Sequence, residues 1–382
     1  MSKPILIVGS GLAGITVARE FLKLAPDQDV LIVTADDGGF YSKPSLSTAL
    51  AAGKQPAQLM LTPADVLARQ TGVRILPHVR VERIDTAAAA IDTSAGRLEY
   101  ERLVLATGAR QIRLPLSGDG VADILAVNSL DDYAEFRRKL EGCRAVAIIG
   151  AGLIGCEFAN DLRRGGYEVA VHDVAPRLLA RLLPPRASAF LQARLEEEGV
   201  QFRFCSELAA VHREDGGYRL TDRAGASTRA DLVLSAVGLA PAMELAQAAG
   251  IATRRGIVVD RLLRTSAPGV FALGDCAEVE GHLLPYVQPI MLAARALART
   301  LAGTPTAVAY PAMPVTVKTP ACAAVLCPPP QGRSGTWQES VGPQGARAVH
   351  CCGDGGETLG FALLGDAAGE RQQLAAQLPA WL

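Results

Sequence analysis

The clearest pattern along the chain is a short apolar run that ends in a glycine turn and opens into a helix-length amphipathic stretch, and it occurs twice. Pro4-Ile-Leu-Ile-Val8 leads into Gly9-Ser-Gly-Leu-Ala-Gly14, and Ala145-Val-Ala-Ile-Ile149 leads into Gly150-Ala-Gly-Leu-Ile-Gly155. Runs of aliphatic residues bounded by glycine read as buried strands, and the stretches 15–24 and 156–164 that follow read as helices. A second apolar strand comes after each helix, Val30-Leu-Ile-Val33 in one copy and Glu168-Val-Ala-Val171 in the other. Two strand–helix–strand starts imply two nucleotide-binding folds.

The layout beyond each copy also repeats. Alternating segments at 73–76, 79–84 and 87–92 precede an apolar strand at 103–108. Segments at 201–204, 209–211 and 218–221 precede a second such strand at 232–238. Asp215-Gly-Gly217 and 222–225 have the composition of hairpin turns. A strand is expected at 270–275 and an amphipathic helix from about 289 to 301, closed by Gly303 and Pro305. Residues 311–330 are proline-rich and read as extended, and the last fifty as a small unit with a terminal helix near 370–378. The predicted fold class is α/β, with two Rossmann-like domains and a small C-terminal α+β domain. The first Rossmann-like domain is discontinuous, at 1–112 and 243–315; the second occupies 113–242, and the small domain 316–382.

Composition narrows the function. The 382 residues are 49% hydrophobic and carry 38 Lys and Arg against 39 Asp and Glu, which argues against a nucleic-acid binder. No apolar stretch is long enough to span a bilayer, and the N-terminal run reads as a first strand rather than a signal peptide. All eight cysteines lie after residue 142 at irregular spacing. Reduced thiols and a cytoplasmic location are therefore expected. The histidines at 78, 172, 212, 282 and 350 show no metal-ligand spacing and read mostly as surface or strand-end residues, so no metal is expected.

The chemistry lies in the glycine turns. In Gly-x-Gly-x-x-Gly the first glycine (Gly9, Gly150) permits the tight turn and the second (Gly11, Gly152) admits a pyrophosphate. The third (Gly14, Gly155) packs helix on strand, with the diphosphate at the helix N-terminus. An acid near the end of the second strand is expected to hold an adenosine ribose: Asp36 or Asp37 in the first copy, Asp173 in the second. A carboxylate at Asp173 repels a 2′-phosphate and favours NADH, a preference that nearby Arg177 would blunt. Two dinucleotides in one chain suit hydride transfer from a nicotinamide to a flavin.

Together with both glycine turns, Leu103-Val-Leu-Ala-Thr-Gly108, Glu157, Leu234-Ser-Ala-Val-Gly-Leu-Ala-Pro241 and Thr265-Ser-Ala-Pro-Gly-Val-Phe-Ala-Leu-Gly-Asp275 make residues 1 to about 310 resemble the pyridine-nucleotide disulfide oxidoreductase superfamily of FAD enzymes. The resemblance implies that Asp275 bonds the flavin ribityl or phosphate, and that the helix beginning at 286–290 aims its N-terminus at the flavin. The redox cysteine pair of the disulfide reductases is missing, because no cysteine precedes Cys143. Instead Phe40-Tyr-Ser-Lys-Pro-Ser-Leu-Ser47 is similar to a segment of the ferredoxin- and rubredoxin-reductase branch. Within that branch Leu153-Ile-Gly-Cys-Glu-Phe-Ala-Asn-Asp161 and Met313-Pro-Val-Thr-Val-Lys-Thr-Pro-Ala-Cys322 make the chain most similar to bacterial rubredoxin–NAD(+) reductases.

By that resemblance Ser10, Gly11, Leu12, Ala13, Thr34, Ala35, Lys43, Val81, Glu157, Asp275, Val287 and Lys318 contact FAD. Thr107, Gly108, Gly238 and Gly274 complete the expected cofactor-binding set. The implied activity is hydride transfer from NADH to FAD, then single-electron transfer to rubredoxin, a small acidic iron protein. Alternatives are a ferredoxin or flavorubredoxin reductase and an NADH-binding redox sensor. In many relatives a lysine after the Leu-Ser pairs with the acid at Glu157, but Thr48 stands here. Lys318 is the expected substitute, either as the charge partner of Glu157 or as a donor to flavin carbonyls; an unpaired buried carboxylate is costly. Cys322 and Cys327 are spaced as a redox pair could be, but Pro320 and Pro328-Pro-Pro330 around them favour packing; the vicinal Cys351 and Cys352 are weaker candidates, and Cys156, in a tight helix start, reads as packing. The short third unit points to a monomer.

Overall fold

The computed structural model describes residues 3–330, 332–352 and 356–382. Each glycine-turn strand lies inside a parallel sheet. Ile5–Val8 pairs with Val30–Val33 on one side and Arg102–Leu105 on the other. Arg74–Leu76 and Val270–Ala272 form the edges. The chain thus leaves this sheet after Leu105 and returns to it at Val270, so distant segments share one core. Ala145–Ile149 is likewise flanked by Glu168–His172 and Leu232–Ser235, with Val200–Arg203 outside. Ile5–Val8 and Val30–Val33 are buried at every position, as continuous apolar strands must be when both faces of a parallel sheet are covered. The Val287–Leu301 helix packs on the first glycine-turn helix, Leu12–Leu24.

Each parallel sheet carries an antiparallel three-stranded meander, spanning 81–99 and 208–230. The two units are joined by Ala109–Gln111 against Leu239–Pro241. The third unit is a five-stranded antiparallel sheet in the order Val315–Val317, Ala324–Cys327, Thr358–Gly365, Gly345–Cys351, Thr336–Val341. Among the described residues no helix is long and apolar enough to cross a membrane.

Several local expectations change. The proline-rich stretch at 311–330 contains two strands of this sheet, because its prolines fall outside the paired positions 315–317 and 324–327. The expected terminal helix shrinks to Arg371–Ala375 after a 3-10 turn at Asp366–Glu370. The strand at 270–275 stops at Ala272, and Gly274–Cys276 turns helically. Leu130–Lys139 forms a helix that hydrophobic periodicity does not announce, since only Tyr133 and Phe136 are buried; its start is fixed by a reciprocal Ser129–Asp132 cap. His172 ends its strand as expected but is buried, and His350 is buried within a strand, packed edge-on against Trp337.

Candidate functional site

The two glycine turns have the same geometry. Gly9 and Gly150 have φ of +110° and +109°, where a side chain would be strained. A Cβ on Gly14 would stand within 3.0 Å of the Gly9 carbonyl oxygen, and one on Gly155 within 3.0 Å of that of Gly150, whereas Gly11 and Gly152 face open space. Neither helix start has a side-chain cap or an acid in its first turn. The free N–H groups and the dipole there favour an anion. Two closed positions around one open one form a cradle that a dinucleotide diphosphate fits.

The acids differ. Asp36 Oδ1 accepts from the hydroxyls of Ser10 (2.7 Å) and Thr34 (2.5 Å) and from the Gly38 N–H (3.0 Å). Asp37 only closes its own turn, through Gly39 N–H. Asp173 Oδ2 accepts from Ala151 N–H, inside the second glycine turn, at 2.6 Å, and Oδ1 from Ala175 N–H at 2.7 Å. Arg177 lies four residues on, its Nε buried without a partner and its guanidinium donating to Ala180 O at 3.3 Å.

At the end of the first sheet, Gly274 packs so closely on Ala13 that a Cβ would approach the Ala13 Cβ to 2.9 Å. Asp275 next to it has a buried Oδ1 with no partner. Burial raises its pKa, and the Lys43 ammonium works against that rise. Surrounding protein lowers the Lys43 pKa in turn, and Asp275, Asp132 and Asp36 oppose the shift. Lys43 Nζ donates to Asn128 at 3.1 Å. A buried acceptor without a donor is what a hydroxyl-bearing cofactor would complete. Thr107 donates its hydroxyl to Ala242 O (2.8 Å), and Gly108 takes φ of +68°. Val287 is exposed at the first turn of its helix, Val81 begins the first meander, and Gly238 lies exposed just before the joining strand.

The second helix, Leu153–Arg164, buries a polar stripe. Glu157 is 3% exposed. Its Oε1 accepts from the Lys318 backbone N–H at 2.9 Å, and its Oε2 from Lys318 Nζ at 2.6 Å and Ser47 Oγ at 2.5 Å. Lys318 Nζ also donates to Pro44 O (2.6 Å) and Ser47 Oγ (3.1 Å), so all three ammonium protons are engaged. Asn160 accepts from Ala321 N–H at 3.2 Å, and Asp161 from Leu50 and Ala51 N–H at 3.0 and 2.9 Å. Burial raises the Asp161 pKa against those two bonds. Residues of one helix thus hold segments from the first unit (44–51) and from the C-terminal stretch (318–321). Ser47, Asn160 and Asp161 were missed from the sequence, although polar residues at 157, 160 and 161 share one face of an apolar helix.

The thiols that the sequence places near the site are poorly placed for chemistry. Cys156, Cys322 and Cys327 are buried and unpaired; burial pushes Cys327 up to about 11 and Cys156 higher still. Among the described residues no group of three or more His, Cys, Asp or Glu is placed to hold a metal.

The profile of pyridine nucleotide-disulphide oxidoreductases matches residues 3–300, and that of a rubredoxin binding C-terminal domain matches 307–378. A rubredoxin-NAD(+) reductase of Alcanivorax borkumensis is 46% identical over 99% of both chains. A nitric oxide reductase FlRd-NAD(+) reductase of Aeromonas salmonicida is 40% identical over 99% of this chain and 97% of its own. Among solved structures, a ferredoxin reductase of Rhodopseudomonas palustris superposes with a TM-score of 0.89 at 27% identity, covering 99% of this chain and 96% of that one. The chain belongs to the pyridine nucleotide-disulphide oxidoreductase family, in the group that contains the rubredoxin-NAD(+) reductases.

Proposed function

We propose that the chain is an FAD-dependent NADH:rubredoxin oxidoreductase of the cytoplasm, acting as a monomer. The observation that carries the proposal is the Glu157–Lys318 junction. A carboxylate on the second glycine-turn helix is neutralised by a lysine from the segment that matches the rubredoxin-binding profile. Donor side and acceptor side therefore meet at one ion pair. The absence of any cysteine before Cys143 supports an acceptor other than a disulfide.

In this reading residues 1–112 and 243–315 form the FAD domain, 113–242 the NAD domain and 316–382 the acceptor domain. Bound FAD supplies the conversion of a hydride electron pair into single electrons. The chain supplies orientation and charge. The first turn, from Gly9 to Gly14, holds the flavin diphosphate, with Thr34, Ala35, Asp36, Lys43, Val81, Thr107, Gly108, Gly274, Asp275 and Val287 around the rest of the cofactor. The second turn, Gly150, Gly152 and Gly155, holds NADH, with Gly238 at its edge. Asp173 disfavours a 2′-phosphate by charge repulsion. Glu157 and Lys318 face the place where nicotinamide and flavin meet.

Rubredoxin, being acidic, needs a basic landing area. Arg295 and Arg299 lie four residues apart on the exposed face of their helix, whereas the charge of Lys318 is already met by Glu157. Steering by these cations makes the rate of rubredoxin reduction fall as ionic strength rises. The 40%-identical flavorubredoxin-type relative supports flavorubredoxin as a second acceptor. The test is anaerobic reduction of the purified yellow protein by NADH or NADPH, followed by rubredoxin bleaching across a salt series. Preference for NADH and a salt-dependent rate are expected. Equal use of NADPH removes the role of Asp173, and a salt-insensitive rate removes the steering.

A further inference from the structure

Ser47 belongs to neither glycine turn, yet it occupies the centre of the charged junction. It is 3% exposed in the 3-10 turn Lys43–Thr48. Its hydroxyl lies between opposite charges, donating to Glu157 Oε2 at 2.5 Å and accepting from Lys318 Nζ at 3.1 Å. The alternative acceptor for its proton, Pro44 O, is 3.4 Å away and already takes the Lys318 ammonium at 2.6 Å. A hydroxyl has one proton to give, and the nearer, charged acceptor takes it.

We propose that Ser47 is a positioning residue for NADH oxidation, whose hydroxyl fixes the Glu157 carboxylate and disperses its charge beside the flavin. The proposal rests on the reading that Glu157 faces the meeting point of nicotinamide and flavin. Lysine alone is a poor anchor for such a carboxylate, because its ammonium is a rotatable point charge on a four-carbon stem, and here its side chain is 33% exposed. Serine has a one-carbon stem, and the backbone on either side of it is pinned. On one side the Ser45 N–H bonds Ser42 O, and on the other the Leu50 and Ala51 N–H groups bond Asp161. The hydroxyl therefore holds Oε2 in a fixed direction. Removing it leaves Oε2 with Lys318 Nζ as its one remaining donor. The carboxylate then has more freedom and a less dispersed negative charge. A more negative local field disfavours adding electrons to a flavin placed there, and a looser carboxylate slows hydride transfer without weakening NADH binding. The first glycine-turn helix has no counterpart, since Thr16 stands where Glu157 does and bonds Met291 Sδ at 3.7 Å.

The test compares flavin-loaded Ser47→Ala, Ser47→Thr and Thr48→Ala proteins with the wild type. The readouts are flavin content, the two-electron midpoint potential, the NADH KM and the rate of flavin reduction at saturating NADH. Ser47→Ala is expected to keep its flavin and its KM, and to reduce about tenfold more slowly, the scale of one lost hydrogen bond to a charged group. Its potential is expected to fall by about 30 mV, which is tenfold in a two-electron equilibrium. Ser47→Thr restores both values, and Thr48→Ala matches the wild type. If Ser47→Ala does not hold flavin, Ser47→Cys, of similar shape with a weak donor, must show the same two shifts. A wild-type potential and rate in the hydroxyl-free variant would overturn the proposal. A wild-type protein whose flavin NADH does not reduce overturns instead the functional reading beneath it.

Discussion

The two glycine-turn helices start from almost the same six residues and end in different roles. In both, the turn closes around the first and third glycines and opens at the second. Further along the helix they diverge. Two residues after the last glycine the first helix has Thr16 and the second Glu157; five and six residues after it the first has Arg19 and Glu20, the second Asn160 and Asp161. Arg19 is exposed and Glu20 half-buried with an ion pair to Lys23, while Glu157, Asn160 and Asp161 are all buried and bonded to other segments. The glycines build a cradle of the shape a dinucleotide diphosphate fits, and the polar stripe decides whether its helix is an inner wall or a joint between units.

The largest effect on this comparison comes from the glycines. Gly14→Ala and Gly155→Ala each force a Cβ against a backbone oxygen and are expected to cost about 3 kcal/mol of stability by overpacking. Gly11→Ala and Gly152→Ala fill open space, so they should unfold like the wild type while losing FAD or NADH affinity respectively. Thermal unfolding of the apoproteins, the flavin absorbance ratio and NADH titration of the flavin-loaded Gly152→Ala protein separate the two classes. A Gly11→Ala protein fully loaded with flavin would contradict the cradle.

Next in size is the stripe itself. Lys318→Met leaves Glu157 with the Ser47 hydroxyl and one backbone N–H, at an expected cost of about 2–3 kcal/mol, below the range for a fully buried pair because Lys318 is partly exposed. Its flavin spectrum, potential or NADH rate should change as well. Thr16→Val, at the matching place in the first helix, loses only a weak contact to sulfur and should cost less than about 1 kcal/mol. Denaturant unfolding of both variants measures the contrast, and equal losses would refute it.

The parallel sheets differ at one register position as well. Val8 pairs with Val33 and Ile149 with His172, each just before its glycine turn. Burial drops the His172 pKa to about 4, while its Nδ1 bonds Ser206 at 3.1 Å. Above pH 6.5 the ring is neutral folded or unfolded, and its contribution is complete. As pH falls from 6.5 to 4 the unfolded chain takes up a proton that the folded ring refuses, so stability drops by about 3 kcal/mol. His172→Gln should flatten the stability profile in that window, and an unchanged slope would locate the acid sensitivity elsewhere. Smallest of all is the double variant Cys322→Ala, Cys327→Ala, whose rubredoxin reduction should stay within about twofold of wild type because both thiols are buried and protonated. Loss of turnover would restore a thiol relay.

What could be read from the sequence follows from range. The glycine turns, the buried strands beside them and the acids at 36 and 173 are local patterns, and each lies within about 25 residues of the turn it serves. The five-stranded C-terminal sheet was not legible as such. Its Thr336–Val341 strand has no fully buried position, and its Val315–Val317 strand is three residues long among prolines. The junction at Glu157 draws on Ser47 and Lys318, which are 110 and 161 residues away, and no periodicity encodes such a meeting. Lys318 is anticipated by the family resemblance, which sets it at the flavin, and by the need of a buried carboxylate for a charge that Thr48 does not offer. Ser47, an uncharged residue in a short turn, gave no comparable signal.

The most direct measurement is anaerobic turnover with NADH, offering rubredoxin, a [2Fe–2S] ferredoxin and a disulfide as acceptors to the same flavin-loaded protein. The account predicts rapid bleaching of rubredoxin, with the disulfide untouched and ferredoxin slow. Flavin that is reduced by NADH while rubredoxin stays oxidised, or a disulfide reduced at a comparable rate, would contradict it.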